Sequence, residues 1–373
     1  MIKRILYTLL IMFPVVASAQ INTDRVMAIG RNALYFEDYV LSIQYFNQVI
    51  NAKPYLSDPY FYRGLAKINL DDFQGAESDC SEAIERNPFV VSAYQVRGLA
   101  RIQQNNFAGA IEDYTKALEF DPENIGVWHN MALCRIRQED YKGAKNDLDK
   151  LIAISPRYTK AYLMRGEVDL KQKDTLAAEK DFGKAIEIDR YDADTWASRA
   201  ILRLQQQRYK DAEADFDHAI RLSTRNSGVY INRALARYHQ NNLRGAMSDY
   251  DIALDIDPNN FIGHYNRGLL RAQVGDDNRA IQDFNFVIEM EPDNMMAIFN
   301  RGLLLDQTGD YKGAIKDYST VINEYPNFLL GYQYRAQARR KIGDVKGADA
   351  DEFKVLKAQL DKQNGVDPNK QTA

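Results

Sequence analysis

One pattern constrains this chain more than any other: it repeats itself every 34 residues. Asn232, Asn266 and Asn300 stand at that spacing, each followed by an arginine. Prolines keep the same grid at Pro54, Pro88, Pro122 and Pro156, and again at Pro258, Pro292 and Pro326. Alanine fills one column without a gap from Ala76 to Ala348, and aspartate fills another from Asp79 to Asp351. A period of this length marks a stack of supersecondary units, none able to bury its apolar face alone. With position 1 set at residue 23, ten units run from 23–56 to 329–362. The last carries an increasingly polar second helix, expected to act as a cap because a terminal repeat faces water.

One unit, Met295 to Phe328, shows the local logic. Positions 2–14 predict a helix A and positions 17–30 a helix B. In the Gly309-Asp310-Tyr311 turn, glycine suits the end of one helix and aspartate the cap of the next. Gly302 and Ala314 are small enough for the two helices to approach closely, and Tyr311 and Tyr318 fill the space beside them. Pro326 stops helix B, since proline lacks an amide donor and restricts the residue before it.

The grid resembles the tetratricopeptide repeat (TPR). The resemblance rests on aromatic residues at position 4 (Tyr60, Tyr94, Trp128, Tyr162, Trp196, Tyr230, Tyr332) and on glycine at position 8 (Gly64, Gly98, Gly166, Gly268, Gly302). The alanine and proline columns complete it, while Thr175 and Asp277 depart from the aromatic expected at the turn. It implies an all-α fold, a right-handed α-solenoid superhelix of about ten helix-turn-helix repeats, over residues 20–362.

Position 7 carries arginine in a nearly unbroken run that includes Arg97, Arg267 and Arg301, interrupted by Met131. Position 23 carries the aspartates, among them Asp79, Asp249 and Asp283. Two matched columns of opposite charge predict a repeated structural ion pair, for which the planar fork of arginine is suited. The pair can lie within a repeat (Arg97 with Asp113) or between neighbours (Asp79 with Arg97, Asp249 with Arg267, Asp283 with Arg301). The neighbouring arrangement is expected, because helix A of a TPR packs on helix B of the preceding repeat. The alternative use of the arginines is to bind an anionic ligand.

In a TPR superhelix, position 6 faces the concave side. Asn130, Asn232, Asn266 and Asn300 occupy it here, and position 5 beside them carries Phe61, His129, Leu163, Ile231, Tyr265 and Phe299. An amide both donates and accepts, so stacked asparagines can clip a peptide backbone above apolar pockets. The simpler account is that asparagine satisfies local backbone groups. A basic clamp for a terminal carboxylate is not visible: position 2 mixes Asp58, Ser92, Lys160, Asp194 and Met296.

Residues 1–19 read as a secretory signal peptide. Lys3 and Arg4 precede an apolar run, Ile5 to Val16, and Ala17-Ser18-Ala19 forms a small-residue cleavage site. Export, to a bacterial periplasm, is therefore expected, with no membrane span in the mature chain. Cys80 and Cys134 are expected to stay buried and reduced despite export, being separated by a whole repeat. Residues 363–373 form a polar tail. The net charge of −4 offers no footprint for nucleic acid. His129, His218, His239 and His264 make no zinc-like set, and no phosphate loop or nucleophile motif is present. The expected protein is a monomeric, non-enzymatic scaffold without cofactor or metal that binds a protein or peptide segment in its groove. The alternative is a periplasmic accessory or enzyme-like protein that binds a glycan or small ligand there.

Overall fold

A computed structural model describes residues 22–223 and 225–363 of the protein. The expected signal peptide lies outside these residues, as does the expected tail apart from Gln363, which closes the last helix. Twenty helices are present and, among the described residues, no strand.

Two compact units divide the chain, one up to Ala178 and one from Glu179. The first holds α1 (Thr23–Tyr35), α2 (Tyr39–Ala52), α3 (Asp58–Ile68), α4 (Phe73–Arg86), α5 (Val91–Gln103), α6 (Phe107–Phe120), α7 (Ile125–Arg137), α8 (Tyr141–Ile154) and α9 (Thr159–Lys171). α10 (Thr175–Ile188) begins there and continues in the second unit. The second unit then holds α11 (Ala193–Gln205), α12 (Tyr209–Leu222), α13 (Ser227–His239), α14 (Leu243–Ile256), α15 (Phe261–Gln273) and α16 (Asp277–Met290). It ends with α17 (Met295–Thr308), α18 (Tyr311–Glu324), α19 (Leu329–Lys341) and α20 (Val345–Gln363). Within each unit helix A packs on the helix B that follows it, and helix B packs on the next helix A, as in α5, α6, α7 and α13, α14, α15. This is the stacking of an α-solenoid.

The turn inside each hairpin depends on one backbone conformation. Position 15 is left-handed in the described turns, but only Gly275, Gly309 and Gly343 use glycine there. Glu37, Asp71, Asn105, Glu139, Lys173, Gln207 and Asn241 adopt φ of 58–64° at the same place. A side chain costs roughly 1–2 kcal/mol in that region. The next residue offsets part of this by capping helix B, as when Asp140, after Glu139, accepts from the Gly143 amide at 3.0 Å.

Close approach of the two helices is needed where position 8 meets position 24. A Cβ on Gly302 would lie 2.9 Å from the Tyr318 ring, and one on Gly98 2.8 Å from the Tyr114 ring. Both tyrosines are fully buried.

The ion pairs form within repeats, which corrects the expected pairing between neighbours. Arg97 forks Asp113, with Nη2 at 2.6 Å, rather than Asp79, which pairs with Arg63 at 2.5 Å. Likewise Arg267 holds Asp283 at 2.8 Å and Arg301 holds Asp317 at 2.7 Å, while Asp249 is held by Arg233 at 2.6 Å. The reason is helical phase. Position 23 points into its own hairpin. Position 25, turned by about 200° at 3.6 residues per turn, faces the next repeat. The remaining arginine nitrogen reaches back to that position in the preceding repeat: Arg97 Nη1 to Ser81 at 3.1 Å, Arg267 Nη1 to Asp251 at 2.8 Å and Arg301 Nη1 to Asn285 at 2.8 Å. Each arginine thus ties one hairpin together and links it to its predecessor.

A second cation at position 11 was not anticipated. Lys67, Arg101, Arg203, Arg237, Arg271 and Arg339 each contact the same aspartates, at 2.7–3.0 Å. The aspartates are thereby committed to structure.

Cys80 and Cys134 are free and fully buried. Burial pushes the Cys80 thiol up to about 12 and the Cys134 thiol to about 11. The last helix, α20, leaves Phe353, Leu356 and Leu360 exposed.

Candidate functional site

The loops that enter helix A set the geometry of the site. Asn260 caps α15, accepting from the Gly263 amide at 3.0 Å, and Asn294 caps α17, accepting from the Ala297 amide at 3.0 Å. Their amide nitrogens turn back to Asp257 at 3.2 Å and Glu291 at 3.0 Å. With the helix starts fixed, position 2 projects outward. Ile262, Met296 and Leu330 stand there in three consecutive repeats, at 50, 66 and 43% exposure. Earlier repeats place Asp58, Ser92, Lys160 and Asp194 at this position. Apolar side chains thus recur in register at an exposed position that these earlier repeats fill with polar residues.

Two clefts open along this stripe. One, of about 280 Å³, is lined by Phe261, Ile262, Tyr265, Asn294 and Met296. The other, of about 410 Å³, is lined chiefly by Asp293, Met296, Phe299, Val321, Tyr325 and Phe328. They share Asn294 and Met296 as a common wall. Phe299 stays half-buried in an aromatic cluster, with ring centroids 5.1 Å from Phe328 and 5.8 Å from Tyr318 and Tyr334.

The asparagine column divides. Asn300 donates to the Tyr265 hydroxyl at 3.1 Å and so joins α17 to α15. Burial pushes that hydroxyl's pKa up, partly offset by the bond. Asn232 and Asn266 are half-buried, and neither has a side-chain hydrogen bond to another described residue. Ile231 is not a groove residue: it is 7% exposed and belongs to the core with Tyr230 and Tyr250. Gly263 explains its burial, for a Cβ there would lie 3.4 Å from Ile231 Cδ1. The bare backbone of α15 closes over the isoleucine.

In the first unit, Phe61, Asn130 and Leu163 are half-buried. His129 meets the Tyr158 hydroxyl at 3.3 Å, and burial, aided by Lys160, lowers its pKa. It lines a separate cleft of about 540 Å³ with Leu133, Met164, Arg137 and Lys171. Of the residues expected in the groove, Tyr265 and Phe299 line the apolar clefts, while Ile262 and Leu330 were overlooked. Their signal was legible as apolar residues replacing polar ones at position 2.

Among the described residues no group of three His, Cys, Asp or Glu side chains could hold a metal. No described helix is long and apolar enough to cross a membrane.

Family models for the TPR repeat match residues 98–134, and models for the tetratricopeptide repeat match 125–158, 159–192, 198–261 and 265–327. Comparison with curated proteins gives no significant match. Among solved structures, a tetratricopeptide repeat protein from Parabacteroides merdae is similar with a TM-score of 0.52 at 21% identity. The match covers 67% of this chain and 98% of that one. The C-terminal part of a TPR repeat-containing protein from Cytophaga hutchinsonii gives 0.52 at 17% identity, covering 64% and 97%. At these identities the likeness shows the fold alone. Together with the hairpin geometry and the family models, it establishes that the chain belongs to the tetratricopeptide repeat family.

Proposed function

We propose that this protein is an exported interaction scaffold, and that it holds an extended segment of a partner protein along the helices A α13, α15, α17 and α19. The observation that carries the reading is the apolar stripe of Ile262, Met296 and Leu330 over two adjoining clefts. Beside it, the amides of Asn232 and Asn266 are left without a partner among the described side chains and can clip a peptide backbone. Export is supported by Lys3-Arg4, the apolar run after them and Ala17-Ser18-Ala19.

A photo-crosslinking residue at Met296, in the producing cells, captures the partner for identification. Replacing both Asn232 and Asn266 by alanine is then expected to weaken binding of the captured partner about 5- to 150-fold. That follows from two backbone hydrogen bonds worth about 0.5–1.5 kcal/mol each. Folding should be unaffected. An unchanged affinity removes the two amides from the binding site, and a double variant that unfolds makes them structural. N-terminal sequencing of the protein from its native cells should begin at Gln20. A chain retaining residue 1 would remove the export reading.

A further inference from the structure

The recesses along the stripe have a spacing, and the spacing selects a backbone conformation. Helices A of consecutive repeats touch here: the Asn300–Tyr265 bond of 3.1 Å joins α17 to α15, and the Phe299 and Tyr334 rings, 5.8 Å apart, join α17 to α19. Packed helices lie about 8–10 Å apart, so the two recesses recur at about that distance, with Met296 as the wall between them. A β-strand repeats its same-side residues at about 6.6 Å and falls short. An α-helix presents a side chain about every 5 Å along one face, so alternate ones land on the wall. A polyproline II helix has three residues per turn at 3.1 Å each, returning to the same face after about 9.3 Å. Its backbone forms no internal hydrogen bonds, which suits it to an amide such as Asn266.

Charge narrows the partner further. Asp293 is the one charged residue that lines either recess, and no Lys or Arg does. Resting on the groove reading above, we propose that the ligand of this face is a polyproline II segment. It carries bulky apolar side chains at i and i+3, and a lysine or arginine beside one of them. The larger recess, ringed by Phe299, Tyr325 and Phe328, takes an aromatic or long aliphatic side chain. The smaller takes a leucine, valine or proline.

Three fluorescently labelled synthetic peptides test this by anisotropy on the mature full-length protein. The first is Lys-Leu-Pro-Pro-Phe-Pro-Pro. The second moves the phenylalanine one residue closer to the leucine, at unchanged composition. The third replaces lysine by glutamate. The first is expected to bind at least about ten-fold more tightly than either other. Met296→Asp, at a site 66% exposed, should abolish that binding with an unchanged circular dichroism spectrum. Asp293→Asn should erase the preference for lysine over glutamate. If the closer spacing binds as well or better, the polyproline II inference is overturned while the groove stands. If no peptide binds, the inference also falls. If the crosslinked partner in addition binds Met296→Asp protein normally, the groove reading falls with it.

Discussion

Met131 replaces the arginine that every neighbouring repeat places at position 7, and the consequence falls on Asp147. Thr115, at position 25 of the preceding repeat, contacts Met131 Sδ at 4.0 Å where other repeats place the arginine's third bond. Arg135 Nε lies 2.9 Å from Asp147 Oδ2, but off-axis, so neither atom has a hydrogen-bond partner. Burial pushes the Asp147 carboxyl up to about 6, against the attraction of Arg135 and Lys150 and with slight help from Asp140. Burial raises Asp283 too, but His264 and Arg267 hold it below the ordinary carboxylate value, whereas at Asp113 burial outweighs Arg97 and Arg101 and the carboxyl stays raised. A carboxyl whose pKa is higher folded than unfolded contributes stability below about pH 4, and that stability is lost as pH rises through about 6. The displacement corresponds to about 3 kcal/mol at most. Met131→Arg should supply the missing fork and weaken this dependence. Urea denaturation of parent and variant at about pH 7.5 and pH 5 checks it. The variant should gain about 1–3 kcal/mol over the parent at the higher pH, and much less at the lower. A difference independent of pH would mean Asp147 is already ionised and stable.

Between elements, the same positions carry charges that set which helices meet. Position 11 of one repeat pairs with position 21 of the preceding one: Arg101 with Glu77 at 2.8 Å and Arg237 with Glu213 at 2.7 Å. In the repeat of α9 the polarity is reversed, with Asp169 held by Lys145 at 2.5 Å. Asp169 is 1% exposed, so loss of its partner leaves a buried charge uncompensated. A shift of one repeat would take Lys145 away from Asp169 and set the aspartate against Ile111 or Glu179, which makes the reversal a device for register. Lys145→Glu and Asp169→Arg should each destabilise the fold, and the two together should recover most of the loss, with a coupling of about 1–3 kcal/mol. Additive losses in a double-mutant cycle would show that the pair carries no register information. Position 4 adds an uncharged latch. The Trp128 indole donates to the Pro122 carbonyl at 2.8 Å and the Tyr162 hydroxyl to the Pro156 carbonyl at 3.1 Å.

At the scale of the molecule, stability in a solenoid is close to a sum of repeat terms and nearest-neighbour interfaces. Among the described residues α20 packs chiefly on α19, and leaves Phe353, Leu356 and Leu360 exposed. Hydrogen exchange should accordingly be fastest in α20 and slowest in helices covered on both sides, such as α6. Equal protection in both would reveal a cover on the last repeat. The buried thiols of Cys80 and Cys134 report the same gradation chemically. Labelling should be slow in the native protein and should find two thiols per chain in denaturant without reductant. Finding none would require a disulfide that the stacking forbids, since the two sulfurs sit in different repeats and a bridge needs Cα atoms within about 7 Å.

The period, the helix pairing and the TPR fold were legible in the residues, because they depend on local rules: small residues where helices cross, caps at turns, proline after helix B. The charged columns were legible as columns. Which aspartate each arginine holds was not, because helical phase decides it: position 23 turns inward and position 25 meets the neighbour. The left-handed residue at position 15 is not legible for a related reason, since three of the described turns place glycine there and seven do not. In the groove, sequence order placed Ile231 beside Asn232, but the bare backbone of α15 at Gly263 covers the isoleucine. The asparagine column read as uniform until Tyr265 engaged Asn300 and left Asn232 and Asn266 unengaged. Residue type and spacing set what each repeat can be. The packing of one repeat on the next decides which side chains are consumed in holding the stack and which remain to meet a partner.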